Sequence, residues 1–237
     1  MKKILILLTL FCNGAFASIA TDCYNTAINP TGLNLTIKNA VRLCSGAISS
    51  ELTTTCYKEM INILATQDAV KLCSGTVSLE LTKQCFDDVT SADGLKLPSE
   101  NAAKLCSGTH HANITRDCFE FVTTQSELSL SEEDAIKLCA GTQSTQKTVD
   151  CFNNVMSEFG LTTKAAVELC AAVVDEQATK ACFAKAIKTI NLKDATHLCS
   201  GTVNVENTFN CFGIVSDISG LNLGMKEASK LCAGARD

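Results

Sequence analysis

Tryptophan is absent from this sequence, tyrosine and proline occur twice each, and aromatic residues make up 5% of its 237 positions. A large aromatic-rich core is therefore not expected. Long apolar runs are missing too. After the N-terminal segment nothing approaches the ~20 consecutive apolar residues that a membrane-spanning helix needs. The usual chemical signatures are equally scarce: there is no C-x-x-C, HExxH, G-x-S-x-G, P-loop or dinucleotide fingerprint. Thioredoxin-like redox chemistry, haem attachment, zinc proteolysis and nucleotide binding thus lack their markers. No catalytic residue, metal ligand or cofactor is assigned.

Cysteine is abundant, with 15 in the chain. The first seventeen residues, MKKILILLTLFCNGAFA, read as a secretory signal peptide. Lys2 and Lys3 begin it, an apolar run follows, and Ala15-Phe-Ala17 supplies the cleavage pattern, with a second possible cut after Ala20. Cys12 leaves with the signal, so fourteen cysteines, an even number, enter an oxidising compartment. Disulfides are the expected state there. The mature chain carries 18 basic and 25 acidic residues, a formal charge of −7. That balance argues against nucleic acid or anionic lipid as the main partner, because both call for a basic footprint. The expected location is secreted or periplasmic.

A repeat organises the rest. The string A-x-x-Leu-Cys occurs seven times, ending at Cys44, Cys73, Cys106, Cys139, Cys170, Cys199 and Cys232, at intervals of 29–33 residues. Twelve residues after each of the first six stands another cysteine followed by Phe or Tyr: Cys56, Cys85, Cys118, Cys151, Cys182 and Cys211. Cys23-Tyr24 opens the series. A fixed period of this kind marks a repeat architecture.

Each copy reads as two helices. In the clearer, second one, Ser131 is a candidate N-cap with Asp134 three residues on. Ala135, Leu138 and Cys139 then share one helical face, and Gly141 stops the helix in a left-handed conformation. Gly46, Gly75, Gly108, Gly201 and Gly234 hold the same place, and Ala172 departs from it. The alanine four before each cysteine is small enough to admit a neighbouring helix. In the first helix, Thr53, Thr82, Thr115, Thr148, Thr179 and Thr208 stand three before the cysteine, where Thr can cap or begin a helix. Turn residues (Gly32, Gly94, Gly160, Gly220, Pro30 and Pro98) separate the two helices. The expected fold is all-α, an array of about seven disulfide-stapled αα-hairpins, solenoid-like or a compact superhelix. It forms one domain over 21–234, with hairpins at roughly 21–46, 53–75, 82–108, 115–141, 148–172, 179–201 and 208–234.

Two pairing schemes fit the spacing. One joins cysteines within hairpins (23–44, 56–73, 85–106, 118–139, 151–170, 182–199, 211–232), the other across the loops (44–56, 73–85 and onward). The constant spacing across the loop favours the second. Parity favours the first more strongly, since pairing across loops strands Cys23 and Cys232 at opposite ends of an elongated array. The first scheme is the expectation.

The repeat also supplies internal controls. His110-His111 lies between Cys106 and Cys118, yet the same slot holds Ile48-Ser49, Val77-Ser78, Gln143-Ser144, Val174-Asp175 and Val203-Asn204. The histidine pair is therefore read as a loop variation, not a metal site. His197 occupies a slot that elsewhere holds Arg42, Lys71, Lys104, Lys137 and Lys230, read as a solvated position near a helix C-terminus where positive charge is favourable. The cluster Glu132-Glu133-Asp134 suits the first turn of a helix. Asn34 and Asn113 begin glycosylation sequons that matter only in a eukaryotic host.

These features point to a non-catalytic scaffold that binds a protein or surface ligand, with the loops 46–52, 75–81, 108–114, 141–147, 172–178 and 201–207 as the variable contact residues. An enzyme site assembled across repeats and a structural envelope spacer are the alternatives.

Overall fold

The computed structural model describes residues 15–124, 128 and 130–235. Most of the segment read as a signal peptide, with Cys12, lies outside the described residues. Fourteen α-helices and no strand occur within them, and long helices alternate with short ones. The long helices are α1 (Ala15–Ile28), α3 (Ser50–Met60), α5 (Leu79–Thr90), α7 (Ala112–Thr124), α9 (Thr145–Phe159), α11 (Glu176–Ala186) and α13 (Val205–Ser216). The short ones are α2 (Ile37–Cys44), α4 (Thr66–Cys73), α6 (Ser99–Leu105), α8 (Glu132–Cys139), α10 (Thr163–Cys170), α12 (Leu192–Cys199) and α14 (Met225–Leu231). The expected all-α hairpin repeat is what the chain forms.

Disulfides join the two helices of every hairpin: Cys23–Cys44, Cys56–Cys73, Cys85–Cys106, Cys118–Cys139, Cys151–Cys170, Cys182–Cys199 and Cys211–Cys232. Short helices of 7–8 residues fall below the ~12–15 residues at which an isolated helix becomes even marginally stable. Each staple closes a loop of 17–21 residues, worth about 3 kcal/mol on a chain-entropy argument. All fourteen of these cysteines are buried, beside Leu43, Leu72, Leu105, Leu138, Leu169, Leu198 and Leu231. Six of the long helices also bury the aromatic after their cysteine (Tyr24, Tyr57, Phe86, Phe119, Phe152 and Phe183), and covalent links with aliphatic packing supply the rest.

The array is a closed ring. Each short helix packs against the next, from α2 through α14, and α14 packs against α2. A repeated hydrogen bond shows the closure. Ser74 Oγ donates to Arg42 O at 2.7 Å, and Ser45 Oγ donates to Lys230 O at 2.6 Å across 185 residues of sequence. Arg42 and Lys230 hold equivalent places in their repeats, so the last hairpin precedes the first as any hairpin precedes its successor. The elongated array assumed above is thereby corrected, and the parity argument for the pairing loses its force, because a ring has no ends to strand.

Short helices form the inner wall and long ones the outer. The repeat alanines Ala40, Ala69, Ala102, Ala135, Ala166, Ala195 and Ala228 are fully buried, which lets the inner helices approach one another closely. At their C-terminal end, six glycines at φ +63° to +68° and Ala172 at +54° turn the chain out of the inner wall. They form a small ring of their own: a Cβ on Gly75 would lie 3.6 Å from the Gly108 Cα, and one on Gly141 3.0 Å from the Ala172 Cβ.

One local reading changes. The repeat threonines are not caps. The long helices start three residues before them, capped by Ser49, Ser78, Ser144, Asp175 and Asn204, each accepting from a backbone N–H three residues on. The threonines sit fully buried one turn inside, where Thr82 Oγ1, for example, donates to Ser78 O at 2.8 Å. Ser131, by contrast, caps α8 as expected, accepting from Asp134 N at 3.2 Å. The turn glycines lie between the two helices of their hairpins as read, and of the four only Gly160 is left-handed, at φ +62°. Gly94 has no positive φ; a Cβ there would collide with the Asp88 carbonyl oxygen, and the left-handed residue is Lys96, two positions later.

Gly94→Ala is therefore expected to cost more than about 2 kcal/mol through overpacking. Gly213→Ala, mid-helix with open space around it, is expected to stabilise by about 0.5–1 kcal/mol. Denaturant unfolding of the disulfide-intact variants measures both. Peptide mapping under non-reducing conditions is expected to recover the seven hairpin bonds and no bond across a loop.

Candidate functional site

The ring's axis is lined by one slot of the repeat, two residues before each inner cysteine. Read around the ring it holds Arg42, Lys71, Lys104, Lys137, Glu168, His197 and Lys230. On a helix whose alanine, leucine and cysteine face the hydrophobic layer, this position faces the opposite way, toward the axis. The result is a cavity of about 530 Å³, open at the N-terminal ends of the inner helices, where Lys38, Lys226 and Glu227 stand at its mouth. Toward the C-terminal ends the wall narrows to Ser45, Ser74, Ser107, Ala140, Ala171, Ser200 and Ala233. Seven lysines and arginines face two glutamates here, in a chain whose net charge is negative.

The reading of this slot as a solvated helix face is corrected: its members converge on one cavity. Glu168 was missed altogether. The signal was available, because the slot can be aligned by counting back from each cysteine, and Glu168 is its single acid.

Charge compensation is uneven around the wall. On one side each cation has a carboxylate. Lys71 lies between Asp68 Oδ1 at 3.0 Å and Glu100 Oε1 at 3.2 Å, Lys104 reaches Glu100 at 3.0 Å, and Lys137 reaches Glu133 at 2.6 Å. These lysines hold the Glu100 and Glu133 carboxyls below the ordinary carboxylate range, through hydrogen bonds first and charge second. On the other side Arg42, Lys193, Lys226 and Lys230 make no ion pair within 4.0 Å among the described residues. Burial first, then Lys226, Arg42 and Lys193, pushes the Lys230 ammonium down from its usual value, against the opposing pull of Glu227.

His197 sits between the two regimes, its Nε2 3.9 Å from Glu168 Oε2. Burial is the main force lowering its pKa; Lys230 and Lys193 add to it, while Glu168 and Asp194 oppose. Positive charge on His197 is thus disfavoured, contrary to the helix-terminus reading.

The histidine pair lies at the opposite end of the ring. His111 precedes α7 in the place where Ser, Asp or Asn caps the other long helices. His110 borders a small cavity of about 180 Å³ outside the glycine ring, with Ile48 and Val77, and its Nε2 is 3.1 Å from Gln143 Nε2. Cys106 and Cys118 belong to two different disulfides. Among the described residues no group of three or more His, Cys, Asp or Glu side chains is placed to hold a metal ion.

The lowered pKa of His197 has a stability consequence with a definite sign. As pH falls through about 6.5, the unfolded chain takes up the proton before the folded one does. Native stability therefore drops with falling pH until the lower folded-state pKa is passed. His197→Gln is expected to flatten this part of the profile, read as the difference between variant and wild-type unfolding free energies from pH 7.5 to 5.

Compared with known proteins, the chain matches no family model, no curated protein and no solved structure.

Proposed function

We propose that the chain is a secreted or periplasmic, non-catalytic scaffold that binds a protein partner through the rim of its open mouth. The disulfide content suits an oxidising compartment, and no helix among the described residues is long and apolar enough to cross a membrane. One observation carries the reading. Large aliphatic side chains are left exposed along this rim: Ile37, Ile63, Ile187, Leu192, Ile218 and Met225, with Ile63 70% and Ile218 87% accessible. Each lies in the turn within a hairpin or at the first residue of an inner helix. They belong to the sixth, seventh, first and second hairpins, which are consecutive around the ring. Single exposed aliphatics are ordinary, but a set gathered along one edge and bordered by charge fits an interaction surface.

This shifts the contact surface from the loops between hairpins to the turns within them, at the opposite end of the ring. Removal of a signal after Ala17 leaves Ala20, which is buried in the core, in place. Cleavage there is the expected outcome, and N-terminal sequencing of the secreted protein checks it.

The rim is tested with I63N/I218N, compared with a variant in which Ile48 and Val77 of the loop face become serine. A partner crosslinked by the wild type in its native compartment is expected to bind the rim variant about tenfold more weakly, as loss of two well-placed contacts implies. The loop variant should keep it. The opposite pattern would return the contact surface to the loops.

A further inference from the structure

The apolar rim does not account for the cations that stand inside it. Arg42, Lys193, Lys226 and Lys230 come from α2, α12 and α14, and α14 and α2 are neighbours only because the ring closes. Four positive charges that make no ion pair, the half-buried Lys230 among them, repel one another here, Arg42, Lys226 and Lys230 on the cavity wall and Lys193 beside it. Their backbones are fixed. Arg42 O accepts from Ser74 Oγ at 2.7 Å and Lys230 O from Ser45 Oγ at 2.6 Å, and each parent helix is stapled. Across the cavity the sequence has supplied Asp68, Glu100 and Glu133 to neutralise equivalent lysines. The seventh hairpin places only Glu227 near its own, and Glu168 is directed to His197.

We propose that this arc of the axial cavity is a binding site for a multiply charged oxyanion, a phosphate- or sulfate-bearing group, held by Arg42 and Lys230 with Lys193 and Lys226 at its edge. The chemistry follows from the donors. An arginine fork matches two oxygens of a tetrahedral anion, and ammonium groups act as point charges that any of its oxygens can accept. Four cations call for more than one negative charge on the ligand. A cavity of about 530 Å³ admits a polyphosphate, a sulfated sugar unit or a lipid headgroup, and excludes a folded domain. The bound anion replaces cation–cation repulsion with charge-assisted hydrogen bonds; the ring fixes the backbones that carry the donors, so the remaining cost is the ordering of their side chains. A soluble ester and a membrane headgroup share this chemistry. The site stands whether or not the rim binds a protein.

The test is calorimetric titration of the mature, disulfide-intact protein with tripolyphosphate at low salt, alongside co-sedimentation with phosphatidylglycerol and phosphatidylcholine vesicles. R42Q/K230Q is expected to weaken binding by about tenfold or more, since a charge-assisted contact is worth at least ~1.4 kcal/mol. K104Q/K137Q, on the compensated side, should lose less than about threefold, and K58Q/K147Q on the outer wall should lose nothing beyond general screening. Near-UV circular dichroism verifies the fold; if R42Q/K230Q is unfolded, K38Q/K226Q at the exposed mouth carries the test with a loss of about threefold. Tripolyphosphate binding abolished by the arc variant identifies a soluble oxyanion site, and binding only to phosphatidylglycerol, abolished likewise, identifies a headgroup site. Binding to neither probe overturns the proposal, as does binding that survives the arc variant or falls equally in the outer-wall control. I63N/I218N should retain tripolyphosphate binding, so failure of the rim and failure of the cavity are separable.

Discussion

In each hairpin a disulfide ties the middle of a long helix to the last turn of a short one, at a Cα separation of 5.5–5.8 Å. Everything else is arranged around that joint. It fixes the inner helix in register against the outer one, so the alanine and leucine of the inner helix are always buried and the slot two before the cysteine always faces the axis. It also sets the height at which the left-handed residue turns the chain away. A short helix with little intrinsic stability becomes a rigid stave, and seven staves close a barrel too narrow for a conventional core but wide enough for a cavity.

Closure gives the protein two unlike ends. The C-terminal ends of the inner helices meet in a floor of serine, alanine and glycine, where backbone approaches backbone and serine hydroxyls bridge to carbonyls of the preceding hairpin. The N-terminal ends diverge into a mouth carrying charge on its wall and aliphatic side chains on its rim. The floor shows strict repetition because close approach tolerates few side chains: even the exception, Ala172, adopts φ +54°. The mouth shows variation because space there permits it. Hairpins six, seven and one bring unpaired cations, hairpins two, three and four bring the carboxylates that pair with their lysines, and the exposed aliphatics run from hairpin six to hairpin two. Differences that look like drift along the linear sequence become a division of one surface into two arcs.

Net charge illustrates how far a summed quantity can mislead. A formal charge of −5, or −7 without the expected signal peptide, argues against anionic partners. A sum carries no position, however. Acids are spread over the outer helices and first turns, whereas five of the seven repeats place a lysine or arginine at the axis, so the local balance in the cavity is the reverse of the total.

The sequence by itself determined the hairpin, because its signals are local. The Cys–Cys intervals, the Ser131 cap, the Gly141 stop and the buried face of Ala135, Leu138 and Cys139 all act within a few residues. They could be read without knowing where the next hairpin goes. The pairing within hairpins was reached by parity although the spacing leaned the other way, and the parity argument assumed free ends that the molecule does not have. The caps of the outer helices were legible in principle, since Ser49, Ser78, Ser144, Asp175 and Asn204 are all good capping residues. They were overlooked because the threonine column was the more regular. Only the tertiary structure decided that the array closes. Closure depends on a small rotation accumulated from each hairpin to the next, set by side-chain packing between helices, and no single residue records it. With closure undecided, Arg42 and Lys230, 188 positions apart in the chain, could not be seen as neighbours, nor the lysine slot as the wall of a cavity.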